Sequence, residues 1–252
     1  TLLEDDENTD NDSFSLSFDV ISGDYQYCIP TGLPGAPFGI SDFIFAGIDN
    51  TGSGYSNMGY GHYVELEASV EIGESYDLTI ATFADQHTTI WIDYNKDFIF
   101  DESEQVVYGL ETPGNDEQVT IEVNIPGFAE PGSTYMRVGA QYYYGTPDDP
   151  CLLEMIGEWE DYAIEITGAS MSYDVGVISI NNYWLYSQGE VIPKATIQNL
   201  GIETVSFPVT MNIGTYSSTV ELMDIVSNEL VEVEFDPWNA LPGEYVFELE
   251  TG

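Results

Sequence analysis

Residues 93–104 read DYNKDFIFDESE, which sets Asp93, Asn95, Asp97, Asp101 and Glu104 at positions 1, 3, 5, 9 and 12 of a twelve-residue window. With the carbonyl of Ile99 at position 7, that is the oxygen spacing of a loop that coils around calcium. Such an ion takes six to eight hard oxygens at about 2.3–2.6 Å, from carboxylates, amides and carbonyls. Magnesium suits the pattern less, because it resists full dehydration. Position 6, where these loops turn on glycine, holds Phe98. The competing reading is a solvated acidic turn, since 45 of the 252 residues are Asp or Glu. The spacing, set directly after the apolar run TTIWI, leads us to expect a structural Ca2+ held by Asp93, Asn95, Asp97, Ile99, Asp101 and Glu104.

A second acidic cluster, GEWEDY (157–162), brings Glu158, Glu160 and Asp161 together. These carboxylates can complete a cation shell or pair with Arg137, the single arginine, which sits in the alternating run YMRVGAQY. Burying Arg137 in a strand demands a carboxylate partner. The expectation is an ion pair between Arg137 and Glu158 or Glu160, with Asp161 as a further candidate metal ligand. Catalysis is not expected. With so many acids, some pair will always show a glycosidase separation, so that signal says nothing. His62 and His87 lack zinc-hydrolase spacing and read as strand-edge residues, and no G-x-S-x-G elbow occurs. Tyrosines are the binding candidates: Tyr55, Tyr60 and Tyr63 around a glycine-rich turn, and Tyr142, Tyr143 and Tyr144 before GTPDDP. Exposed rings beside carboxylates suit a sugar, and a carbohydrate-binding module is the alternative function. Rings that fill the core or cover a sandwich edge are the structural alternative.

Only three basic residues, Lys96, Arg137 and Lys194, oppose those acids, for a formal charge of -42. Nucleic acid and anionic membrane surfaces both require a cationic face and are excluded as partners. No stretch approaches the roughly 20 apolar residues of a membrane span, so no membrane insertion is expected. Repulsion among the acids favours a calcium-containing or salty extracellular setting; solubility alone is the other explanation of the charge. Aromatic content of 13% separates the chain from disordered acidic tails. Cys28 and Cys151 are either separate buried thiols or one bridge. A bridge would point to an oxidising compartment.

The elements that must position these groups alternate apolar and polar residues with period two. FSLSFDV, HYVELEASV, YDLTIATF, TTIWID, QVTIEVN and YMRVGAQY are half-buried strands by that pattern, separated by turn-rich stretches such as ETPGND and FAEPGST. No segment sustains a helical period. A seam falls near residues 168–171, after DYAIEIT and before DVGVISI. The chain therefore reads as all-β: an acidic N-terminal arm with a first strand (1–24), then two consecutive antiparallel β-sandwich domains over 25–168 and 172–252, the second immunoglobulin-like. Tyr183, Trp184, Leu185 and Tyr186 are candidates for the contact between the domains.

The landmarks Tyr27-Cys28, WIDYNKDFIFDESEQV, YMRV and CLLEMIGEWEDYAIEI, in that order, make residues 25–167 resemble a GEVED domain. Its terminal motif reads GEWED here, with Trp159 in place of valine. That resemblance implies a Cys28–Cys151 bridge and an acidic loop that carries glycine where this chain has Phe98. DVGVISI, QNLG and the closing GEYVFELET make residues 172–252 similar to the CARDB-type adhesion sandwich. Both families occur in large modular proteins secreted by bacteria. The implied role is a spacer, adhesion or presentation region whose partners are neighbouring domains of the same parent protein, and a polysaccharide or surface protein.

Overall fold

The computed structural model describes residues 26–33, 38–142, 145–180 and 189–251. The acidic arm, Tyr143, Tyr144 and the Tyr183–Tyr186 run lie outside the described residues. No helix among the described residues is long and apolar enough to cross a membrane.

Apart from FSLSFDV, which also lies outside the described residues, the alternating runs become strands. In the first sandwich they are β1 (Ile40–Phe45), β2 (Ile48–Thr51), β3 (Tyr60–Glu71), β4 (Ser75–Thr82), β5 (Asp85–Ile92), β6 (Gln105–Pro113), β7 (Val119–Asn124), β8 (Gly132–Tyr142) and β9 (Gly157–Thr167). They form a four-stranded sheet, β2-β1-β4-β7, and a five-stranded sheet, β3-β9-β8-β5-β6. The pairing is antiparallel with one exception, β3 against β9. Phe43, Leu78, Ile80, Ile90, Met136, Val138, Tyr162 and Ile164 are among the fully buried residues between the sheets. Alternation sends successive side chains of a strand to opposite faces. Trp91, Arg137, Trp159 and Asp161 therefore point away from that core, yet all are at most 1% exposed.

The outer face of the five-stranded sheet is thus covered as well. Its cover is a small apolar cluster of Tyr27, Phe100 and Met155 over Trp91 and Trp159. These come from the segment around Cys28, the loop after β5 and the stretch before β9. Two covered faces explain why β8 and β9 carry near-continuous burial instead of clean alternation. Gly139 in β8 is required here, because a Cβ would strike the ring of Trp159.

The second sandwich contains β10 (Val175–Ile180), β11 (Gly189–Val191), β12 (Lys194–Asn199), β13 (Val205–Ile213), β14 (Tyr216–Ile225), β15 (Leu230–Glu234), β16 (Trp238–Ala240) and β17 (Phe247–Thr251). Sheets β10-β12-β15 and β14-β13-β17 enclose a separate core of Ile197, Phe207, Val209, Met211, Val233, Phe235 and Trp238. All their pairs are antiparallel, an immunoglobulin-like arrangement. Between β9 and β10 the backbone of Met171 donates to Gly127 and accepts from Ile202, so the seam residues bond to both sandwiches.

Candidate metal centre

The acidic loop leaves β5 at Ile92 and re-enters the sheet as β6 at Gln105. Asp93 shares the outer face with Trp91 and is fully buried. Its Oδ2 accepts from the Tyr27 hydroxyl at 2.5 Å and from the Phe98 amide at 3.1 Å. Its Oδ1 is buried with no hydrogen-bond partner. Glu104, 1% exposed, closes the loop from the other end. Glu104 Oε1 accepts from the amides of Tyr94 (3.0 Å) and Asn95 (3.2 Å), and Oε2 from that of Asp101 (3.4 Å).

Asp93, Asp97 and Glu104 each bring one carboxylate oxygen to within 4.8 Å of the others. Two oxygens on opposite sides of one calcium ion, each at about 2.4 Å, stand as far apart as that. An orphaned oxygen in a fully buried carboxylate ordinarily costs about 1–3 kcal/mol, and a cation at this point would supply its missing partner. The donors are hard oxygens, which suit calcium, magnesium or manganese and not a soft metal. Burial, with the Asp93 charge beside it, pushes the Glu104 carboxyl up to about 8. A bound divalent cation would hold it ionised.

The remaining expected ligands take other places. Asn95 Oδ1 accepts from the Asp97 amide at 2.9 Å, and Asp97 Oδ1 from the Ile99 amide at 2.9 Å, which coils the loop as the spacing implies. Asp101 is the N-cap of a short 3-10 turn over Glu102–Glu104, its Oδ1 accepting from the Ser103 amide at 2.8 Å, and it is outside the three-carboxylate cluster. Phe98 adopts φ +69, the left-handed conformation that glycine takes most easily. The turn demanded at that position is therefore made without glycine. The Phe98 ring contributes an edge contact to Tyr27 at 5.5 Å. Lys96, at φ +59, pins the loop outward through its ammonium on the Pro131 carbonyl.

Arg137 corrects one expectation. Its partner is Asp161, with Nε to Oδ1 at 2.7 Å and Nη2 to Oδ2 at 2.6 Å. The reason is register. Arg137 in β8 stands directly opposite Asp161 in β9 on the outer face, whereas Glu158 and Glu160 share the opposite face of β9 with Tyr162. Asp161, engaged by Arg137 and by the Tyr60 hydroxyl at 2.8 Å, is not a member of the metal cluster. Glu158 instead receives the amides of Ser56 (2.6 Å) and Ile40 (2.9 Å), and Glu160 the Tyr162 hydroxyl (2.6 Å). Burial raises the Glu158 carboxyl, and burial with Glu158 alongside raises Glu160 well above the usual carboxylate range.

Cys28 and Cys151 are bonded, with an S–S distance of 1.98 Å and Cα atoms 5.7 Å apart. Arg137 also holds this junction, donating to the carbonyls of Cys28 and Pro150, each at 2.8 Å. Its guanidinium lies 4.9 Å from the Phe100 ring centroid. Disulfide, guanidinium and acidic loop thus meet on the outer face around the buried Arg137, Asp93 and Phe100. Residues 87–165 match the family model of the GEVED domain. The matched GEVED segment runs from β5 through β9 and contains the acidic loop, Arg137, Cys151 and GEWED. The CARDB-like reading of the second sandwich has no family match behind it.

None of the curated proteins matches the chain. Among solved structures, CBD12 from CALX1.2 matches at 10% identity and a TM-score of 0.22, over 76% of this chain and 77% of that one. A chimeric titin Z1Z2 tandem matches at 9% identity and a TM-score of 0.23, over 75% and 93%. Calcium binding domain CBD12 of CALX1.1 matches at 10% identity and 0.22, over 74% and 76%. At such TM-scores these likenesses support no argument, and the architecture rests on the strand pairing itself.

Of the tyrosines singled out by the sequence, the described ones are half-buried and held by contacts within the chain. Tyr55 donates to the Leu33 carbonyl at 2.7 Å, Tyr63 bonds Ser56 at 3.0 Å, and Tyr142 stacks on Phe38 at 4.0 Å. The exposed rings are others, notably Tyr108. Alternation could have flagged it, because Tyr108 occupies an outward position of β6.

Proposed function

We propose that this chain is a non-catalytic, calcium-stabilised accessory region of a secreted or cell-surface bacterial protein, whose sandwiches space, present or anchor neighbouring domains. The observation that carries the reading is Asp93 Oδ1, buried without a hydrogen bond beside Asp97 and Glu104. The cation would be held by Asp93, Asp97 and Glu104, with oxygens of Asn95 and Ile99 as further ligands. It would tie the start of the loop to its end. The disulfide supports an oxidising compartment, where calcium is plentiful. The neighbouring domains of the parent protein are the proposed partners. The contacts within the chain that hold Tyr55, Tyr60, Tyr63 and Tyr142 withdraw support from carbohydrate binding at those four positions.

Calorimetric titration of the chelator-treated chain with calcium tests the reading. High salt should suppress diffuse binding to the acidic surface, since about 1 M salt shortens the Debye length to ~3 Å. We expect one site to persist, with a Kd of roughly 1 mM or tighter, the range of extracellular calcium modules and below. Binding that vanishes with salt would refute it.

A further inference from the structure

Tyr27 stands between the disulfide and the acidic loop, and it is buried. Its hydroxyl donates to Asp93 Oδ2 at 2.5 Å, the same oxygen that accepts from the Phe98 amide. Its ring stacks on Phe100 at 4.9 Å and meets Phe98 edge-on at 5.5 Å. With Oδ2 engaged by these two donors, Oδ1 is the oxygen of Asp93 left for a cation. One side chain therefore braces the turn of the loop and orients its first carboxylate. Tyr27 is held in turn through its neighbour. Cys28 is bonded to Cys151, and its carbonyl accepts from Arg137 Nη2 at 2.8 Å. The backbone bonds that join this segment to the stretch before β9 fall farther along, between Thr31 and Leu33 on one side and Leu152 and Met155 on the other.

We propose that Tyr27 positions Asp93 for the cation, and that the Cys28–Cys151 bond thereby switches the site, which binds tightly when oxidised and weakly when reduced. This inference rests on the calcium reading above. Hydrogen bonds that orient a metal-bound carboxylate typically account for about 10–100-fold in affinity. The bridge is also placed to be opened. Cys151 is exposed and Cys28 half-buried, so an incoming thiolate reaches the Cys151 sulphur first. Arg137 Nη1 lies 3.1 Å from Cys28 Sγ, where its charge stabilises the thiolate that leaves. With a dithiol as reductant, its first sulphur bonds Cys151 and releases Cys28. Its second sulphur then displaces Cys151, so the dithiol closes to a cyclic disulfide and its two electrons and two protons pass to the two cysteines. Linkage is reciprocal: a cation bound more tightly by the oxidised chain makes the bridge harder to reduce by the same factor. A chain still in a reducing compartment thus carries a weak site, and oxidation completes it.

The test titrates calcium at about 1 M salt into the full chain, oxidised and then kept reduced with dithiothreitol. Near-ultraviolet circular dichroism checks that each form is folded. Reduction should raise the calcium Kd roughly tenfold or more. In dithiothreitol redox buffers, calcium well above both Kd values should make the midpoint of the bridge more negative by about 30 mV, the equivalent of tenfold for two electrons. Tyr27→Phe keeps the ring and the bridge. Its oxidised form should bind calcium roughly tenfold more weakly than the wild type, and calcium should no longer move its midpoint by more than a fraction of that shift. Because its bridge stays closed, this variant decides the matter even where the reduced chain unfolds. Equal calcium Kd in the two redox states, a wild-type midpoint indifferent to calcium, or a Tyr27→Phe chain that binds like the wild type would overturn the proposal while the calcium reading stands. An oxidised wild type that binds no calcium would overturn both.

Discussion

Asp93→Asn is the most informative single change in this molecule. Asparagine keeps the shape of the side chain and an acceptor for Tyr27 and Phe98, but removes the charge that a cation needs. The structure sets the expected magnitudes. In chelator, Asp93 and Glu104 are two buried carboxylates facing one another, and their proximity helps hold Glu104 up at about 8. Removing one charge relieves that repulsion, so the variant should melt at the same temperature as the wild type or above it. In calcium the order reverses. A cation present at 100 times its Kd stabilises the folded chain by about 2.7 kcal/mol. At this chain length 1 kcal/mol moves Tm by about 2–4 °C, so calcium should raise the wild-type transition by roughly 5–11 °C. Asp93→Asn should lose most of that increment. Magnesium at the same concentration should give the wild type a smaller shift. Scanning calorimetry of both proteins in calcium, magnesium and chelator is the assay. A wild-type transition indifferent to calcium, or an equal calcium shift in Asp93→Asn, would refute the reasoning.

Further outcomes follow from the buried groups. Arg137→Met should cost about 3–5 kcal/mol by urea titration, because Asp161 keeps a buried charge without its guanidinium, and adding Asp161→Leu should recover much of the loss. Replacing both Cys28 and Cys151 by alanine frees a loop with a sequence separation of 123 and should cost about 4–5 kcal/mol in the same assay. Glu160 binds its proton more tightly folded than unfolded, so its contribution is favourable below an unfolded value of about 4.3 and is lost as pH rises toward its raised folded value. The Tm of Glu160→Gln minus that of the wild type should therefore grow as pH rises above about 4.3; a difference flat across pH would contradict the buried placement.

Much of this arrangement was legible in the residues because period-two alternation is a local signal. It located β3, β4, β5, β7, β8 and β9 but not β1, β2 or β6, and the loop spacing included Asp93, Asp97 and Glu104. What stayed hidden depends on which strand lies beside which. Asp161 rather than Glu158 or Glu160 meets Arg137 because β8 and β9 pair in one register, and nothing along the chain displays that register. The parallel pairing of β3 with β9 was hidden for the same reason. The second cover over the five-stranded sheet also escaped, since alternation presumes that one face meets water. Trp91, Trp159 and Tyr27 had to be seen together before that face could be recognised as buried. Phe98 marks a different limit. Residue type speaks for the average cost of a left-handed turn, while the contacts that offset the cost come from Tyr27, far away in sequence.

The bond between Cys28 and Cys151 also has a mechanical consequence. Tension applied along the chain from the N-terminal side reaches Cys28 and passes straight through the sulphurs to Cys151. The residues between them, which include β1 to β8 and the acidic loop, lie in parallel with a covalent shunt and carry no end-to-end load. Fully extended, a separation of 123 residues would otherwise release roughly 400 Å of slack. A tether built this way keeps the shunted length and its loop intact under pull, and can lengthen only in β9 and the second sandwich, which lie beyond the bridge.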